Sequence, residues 1–97
     1  MTPQRIQRKR TKGWKMPENT VYVGRPSYWG NPFLHGHGNI EKMRPILVEL
    51  FRDWIENDID AEDLRNNIHL LRGKNLACWC PIGQPCHADV LLEHANQ

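Results

Sequence analysis

The chain has 97 residues, 39% apolar and 25% charged, with a formal net charge of +2. That length and balance match one ordinary globular domain with a modest core, so a single domain over residues 1–97 with one site is expected. No run approaches the eighteen or so apolar residues of a membrane helix, and the basic N-terminus lacks the apolar stretch of a signal peptide.

The three cysteines are an odd number, and two of them sit one residue apart in an apolar run. A secreted disulfide framework does not fit that pattern; reduced thiols and a cytoplasmic setting do. No membrane partner is expected, and a homo-oligomer is left open. Charge is spread unevenly: Arg5, Arg8, Lys9, Arg10, Lys12 and Lys15 fall within residues 1–16, where no acid occurs. Such a segment suits phosphate-bearing partners, or is simply a solvated arm.

In chain order, a short strand around residues 5–9 has only Ile6 as an apolar anchor. Residues 20–24, β-branched and aromatic between Pro17-Glu18-Asn19 and Gly24-Arg25-Pro26, predict a clearer strand. Residues 25–39 are rich in glycine and proline without apolar periodicity, which predicts a long ordered loop, a kind of segment that usually carries function. Ile40, Met43, Leu47, Leu50, Phe51 and Trp54 recur at three- and four-residue steps, the stripe of an amphipathic helix. Pro45 fits only its first turn, where amides have no helical acceptor.

A second helix is expected over residues 61–72, with Asp60 as N-cap, Gly73 as terminator and Leu64, Ile68 and Leu71 inward. Residues 75–80, nearly all apolar, predict a strand covered on both faces. Ala88, Leu91, Leu92 and Ala95 mark a last helix. The fold class expected is therefore α/β: a small two- or three-layer domain with a short, at least partly parallel sheet and about three helices. The strand–helix–strand order makes strands 20–24 and 75–80 parallel. Ligands in such sheets sit beyond the carboxyl ends of the strands, which brings loop 24–33 and loop 80–86 to one end.

Within residues 78–89, Cys78 and Cys80 would share one strand face while Trp79 points away. Cys78 alone reads as a core thiol. Cys86 follows Pro85 at a helix start, where the dipole favours thiolate, so it is the first candidate nucleophile, with His87 and Asp89 as candidate acid/base groups. A zinc ion would need Cys78, Cys80, Cys86 and His87 around one tetrahedron. The residue types fit, but the first pair lacks the usual two-residue gap and adjacent Cys86 and His87 would be strained. No cofactor is therefore predicted, and zinc is the alternative.

Loop 24–33 offers Arg25 for an anion, Tyr28 and Trp29 for stacking, Asn31 for hydrogen bonds and Gly30 for close approach, with Cys80 added from the facing segment. The bland reading of the same loop is a plug of Trp29 and Phe33 into the core. His35 and His37 around Gly36 read as polar loop residues rather than metal ligands.

Arg5-Ile6-Gln7, Lys12-Gly13-Trp14, Val23-Gly24-Arg25-Pro26, Trp29-Gly30-Asn31-Pro32-Phe33, Cys78-Trp79-Cys80 and Pro85-Cys86-His87-Ala88-Asp89-Val90-Leu91 together resemble an uncharacterised family of small proteins frequent in bacteriophages and some bacteria. The resemblance spans nearly the whole chain and implies that the basic stretch is an ordered strand and turn of the domain. If phage-encoded, the protein would act in the host cytoplasm. More loosely, a Cys-His before a helix with a cysteine in the preceding strand resembles another small α/β family. Neither resemblance supplies an activity.

The function expected is binding of a nucleotide-like or other phosphate-bearing anion between the two loops, with cysteine catalysis left open. The alternatives are a zinc-stabilised nucleic-acid module and a phage protein that sequesters a nucleotide signal of host defence. A nucleotide-like small molecule is preferred to nucleic acid as partner.

Overall fold

The computed structural model describes residues 3–25, 27–33 and 40–97. Pro26, His35, Gly36 and His37 lie outside them. Three short strands, β1 (Arg5–Gln7), β2 (Thr20–Tyr22) and β3 (Asn75–Cys78), form one sheet in the order β1-β3-β2. Both pairings are parallel: Ile6 lies opposite Ala77 on one edge of β3, and Val21 opposite Leu76 on the other. The expected parallel pair is thus present, and the basic N-terminal stretch supplies a third parallel strand. Leu76, Ala77 and Cys78 are all buried, as an apolar run in a central strand requires.

The amphipathic helix, α1 (Ile40–Asn57), is longer than its apolar stripe. Its buried face is Leu47, Phe51 and Ile55, and Leu50 is exposed, so the stripe is rotated from the one predicted. Pro45 corrects a second expectation, because it is the sixth residue of α1 and lies beyond the first turn. A proline there removes one main-chain bond, and the packing of the next two turns keeps the helix going.

The second helical region is a short α-helix, α2 (Glu62–Asn67), between 3-10 turns at Ile59–Ala61 and Ile68–Leu71. Its cap is Asp58, two residues before the expected Asp60, with the Asp58 side chain accepting the Asp60 amide at 2.8 Å. Leu64 and Leu71 are buried as predicted, and Gly73 ends the run at φ +78, a conformation that glycine adopts without steric cost.

The last helix, α3 (His87–Ala95), packs on β3, β1 and α1. Ala88, Val90, Leu91 and Ala95 go into a core shared with Val23, Phe51, Ile55 and Leu76. Among the described residues no helix is long and apolar enough to cross a membrane.

Phe51 has no exposed surface and meets both Trp54 (5.8 Å between ring centroids) and His87 (5.2 Å). Phe51→Ala is expected to destabilise the fold by about 3–5 kcal/mol, the usual cost of emptying an aromatic core site. Urea unfolding measures it, and a loss under about 1 kcal/mol would remove Phe51 from the centre of the core.

Candidate functional site

Parallel strands release the chain at the same end of the sheet, and here the segments after β2 and β3 meet around a pocket of about 280 Å³. Tyr22, Gly24, Arg25 and Asn31 line it from one side, and Cys78, Trp79, Cys80, Cys86 and His87 from the other. A third wall is the Arg44, Leu47 and Val48 face of α1.

The turn after β3 explains how three cysteines separated along the chain come together. Pro81 to Gln84 closes a four-residue turn (Gln84 N to Pro81 O, 3.1 Å) with Gly83 at φ +95, the position where a type II turn needs glycine. Side chains of β1 pin it: Arg5 Nη2 donates to Pro81 O (2.9 Å), and Gln7 Oε1 accepts the Ile82 amide (3.2 Å). The chain therefore doubles back and sets Cys86 beside the end of β3. The Cys78 and Cys86 sulfurs are 2.9 Å apart, and the Sγ atoms of Cys78, Cys80 and Cys86 all lie within 4.8 Å of one another. All three are free thiols.

Cys86 is the N-cap of α3, as its place after Pro85 suggested. Its sulfur and the Asp89 amide, and its own amide and Asp89 Oδ2 (3.2 Å), form a capping box. Asp89 also pairs with Arg5 (3.5 Å), so its carboxylate holds the helix start and β1 together rather than facing the pocket. Acidity falls differently from the expectation. Hydrogen bonds from Cys78 and Cys86, with Arg44 nearby, hold the Cys80 thiol well below its ordinary value. Cys86 is pushed up to about 11: the hydrogen bond with Cys78 lowers it, but those with Cys80 and burial outweigh that. Cys78 is also pushed up, by hydrogen bonding to Cys80 and Cys86 and by burial. The readily ionised member is Cys80, half-buried beyond the end of β3.

His87 is buried, and its Nε2 lies 2.7 Å from Val23 O. A carbonyl oxygen can only accept, so Nε2 carries the proton and the Nδ1 lone pair is left facing Cys86 Sγ at 3.7 Å. Burial holds His87 below the ordinary histidine value despite the bond to Val23. Neither ring nitrogen belongs to the compact sulfur cluster, which holds three of the four side chains weighed from the sequence as ligands.

The loop residues divide. Arg25 is spent on its own loop, with Nε on Asn31 O (2.8 Å) and Nη2 on Phe33 O (2.5 Å). Asn31 is buried and ties the loop to α1 through Leu47 O (3.2 Å). Gly30 passes close to Arg25, where a Cβ would meet its Cγ at 3.2 Å. Trp29 is in the core cluster, and Tyr28 turns outward to bond the Asp63 carboxylate. Neither of these two rings lines the pocket; the rings that do are Tyr22 and Trp79.

Arg44 is a pocket-lining residue that sequence reading missed. Its Nη1 is buried with no hydrogen-bond partner among the described residues. A signal existed: Arg44 stands three and four residues before Leu47 and Val48, so a cation shares the helix face that turns inward. Arg5, also missed, has a side chain only 8% exposed, and its Nη1 is likewise unpartnered among the described residues. Part of the basic arm is committed at the rim, where Arg8 stacks on Tyr22 (4.6 Å) and Trp79 (4.7 Å) and Arg10 on Trp79 (4.7 Å).

The profile of a family described as a domain of unknown function, DUF4326, matches residues 6–97. The chain belongs to that family. The match starts within β1, at Ile6, and runs through the pocket loop and the cysteine segment. No curated protein and no solved structure matches the chain.

Two expectations follow from this geometry. A Cβ on Gly24 would meet the Tyr22 ring at 2.5–2.9 Å, so Gly24→Ala is expected to cost about 1–3 kcal/mol in urea unfolding. In a Tyr22→Ala background the obstacle is gone, and the added cost of Gly24→Ala should largely vanish. Because His87 is held below the ordinary value of 6.5, the unfolded chain takes up a proton there that the folded chain resists. Its contribution to stability is full above pH 6.5 and is lost as pH falls below it. Urea midpoints from pH 7.5 to 5 should show that decline, and a His87→Phe variant should flatten it.

Proposed function

We propose that the protein binds a phosphate-bearing, nucleotide-like anion in the pocket between loop 24–33 and segment 78–89. The observation that carries this reading is Arg44: a guanidinium nitrogen buried on a pocket wall with no partner among the described residues. Leaving a charged donor unsatisfied is costly, and an anionic ligand removes that cost.

The rest of the pocket suits such a ligand. Tyr22 and Trp79 give the pocket an apolar aromatic wall, and Arg8 and Arg10 stacked on those rings add positive charge at its mouth, which suits an anion. A volume near 280 Å³ is at the low end of small-molecule sites, roughly 300–1,000 Å³, and favours a mononucleotide-sized ligand over a dinucleotide. Arg25, held by its own loop carbonyls, shapes the wall and adds positive potential instead of donating directly. Cys86, His87 and Asp89 are committed to the start of α3 and to Val23, so binding rather than cysteine catalysis is the reading that uses the pocket as built.

Titration calorimetry with a set of mononucleotides and with inorganic phosphate tests the proposal. Arg44→Met keeps the aliphatic stem and removes the donor, and it is expected to weaken binding about ten- to a hundredfold, the worth of a charge-assisted hydrogen bond. Arg25→Met should cost less. Absence of binding by the parent protein, or an Arg44→Met variant that binds equally well, would overturn the reading.

A further inference from the structure

Three sulfurs from two ends of one turn, packed at the closed side of the pocket, ask for an explanation beyond core filling. Core thiols pack as small hydrophobes and have no need of one another. Here Cys78, Cys80 and Cys86 have their Sγ atoms within 4.8 Å of each other, and Cys78 and Cys86 touch. Two thiolates bound to the same zinc-type ion at about 2.3 Å can be no more than about 4.6 Å apart and sit about 3.8 Å apart in a tetrahedron. The cluster is near that scale: the Cys78 and Cys86 sulfurs, 2.9 Å apart, have to open by about 0.9 Å on binding, and Cys80 lies half-buried on the bend after β3.

An independent observation points the same way. The Arg5 side chain is nine-tenths buried with its guanidinium turned to the Cys86 sulfur; Nη2 donates to Pro81 O, Nε pairs with Asp89, and Nη1 meets no hydrogen-bonding nitrogen or oxygen among the described residues. A nearly buried guanidinium turned toward thiol sulfur is poorly compensated by neutral thiols and well compensated by a negatively charged centre. Three thiolates around one divalent ion carry a net charge of minus one, which that guanidinium offsets.

We propose that Cys78, Cys80 and Cys86 form a three-thiolate site for one soft divalent metal ion of the zinc type, with the fourth coordination position open to the pocket. His87 stands outside the triad with its Nε2–H held by Val23 O, so it flanks the ion and does not complete the shell. Three protein ligands and a free position are the arrangement of zinc sites that take an exogenous ligand, whereas four protein ligands close a structural site. Each thiol gives up its proton on binding, so metal uptake releases protons to solvent and is favoured as pH rises. The site does not depend on nucleotide binding, and it is tested without any nucleotide present.

The experiment uses the full chain, produced without a histidine tag and kept reduced. Elemental analysis after zinc supplementation should find one zinc per chain. Replacement by cobalt(II) should give the ultraviolet thiolate-to-metal charge-transfer band together with intense visible bands of a tetrahedral site. Added imidazole should shift the visible bands by occupying the open position; an unchanged spectrum would overturn the open shell. Cys80→Ser, at the half-exposed member, should keep the far-ultraviolet circular dichroism of the parent and weaken zinc at least ~100-fold in chelator competition, beyond the loss usual when only a residue supporting a ligand is changed. Folded parent protein with well under one zinc and no charge-transfer band on cobalt addition would overturn the site, as would a Cys80→Ser variant that binds zinc like the parent. Cys86→Ser is the less informative change, because Cys86 also caps α3.

Discussion

Main-chain bonding of β3 on both of its edges decides where everything else lies. β1 and β2 each pair with it in parallel, so all three strands deliver the chain to the same end of the sheet. The ladder continues a little past the strands, through Arg8 N to Cys78 O (2.8 Å) and Val23 N to Ala77 O (2.9 Å). The segment after β2, the segment after β3 and the basic stretch after β1 are therefore neighbours because of backbone geometry, before any side chain is considered. An open parallel sheet has its crevice at that end, and the pocket is found there.

The side chains then convert that neighbourhood into chemistry at some cost to the fold. Arg5 and Gln7 belong to a three-residue strand, yet both are used to hold the turn at residues 81–84. Half-buried arginines at positions 5 and 44, each with a buried Nη1, a buried histidine and three clustered thiols are an unusual load for a core this small. Unpaired buried charge and mutually crowded thiols lower stability, and they are retained most readily where a bound group relieves them. An anion in the pocket and a cation at the sulfur cluster would relieve opposite ends of the same load.

The cysteine segment also shows how one residue can hold two positions in the structure. Cys86 caps α3 through its main chain and sulfur, and through that sulfur it also faces Cys78, Arg5 and His87. His87 joins the segment to Val23 at the end of β2, so the two edges of the pocket are linked by one ring. The aromatic surface at the mouth, Tyr22 and Trp79 with Arg8 and Arg10 stacked on them, gives the N-terminal basic stretch a place in the domain instead of leaving it as a loose arm.

By itself the sequence determined the elements and their parallel arrangement, since apolar periodicity, β-branched runs and turn residues act locally and over one chirality rule. It also marked the cysteine segment and the glycine-arginine loop as the two parts that meet. What it left undecided needed three-dimensional contacts. Arg25 and Arg44 are both arginines near glycine or proline in the chain, and only the three-dimensional contacts reveal that Arg25 bonds the loop carbonyls of Asn31 and Phe33 while Nη1 of Arg44 has no partner among the described residues. Trp29 and Trp79 are equally aromatic, and only packing sends one to the core and the other to the pocket rim. The spacing of the cysteines counted against a shared ion because the first pair lacks the two-residue gap and Cys86 and His87 are adjacent; the turn at Gly83, pinned from β1, nonetheless sets three of the four side chains, those of Cys78, Cys80 and Cys86, within 4.8 Å of one another. Tertiary structure decided these points because hydrogen-bond satisfaction and side-chain convergence depend on how turns and loops are held, in part by residues far away in the chain, as Arg5 and Pro81 illustrate with a separation of 76.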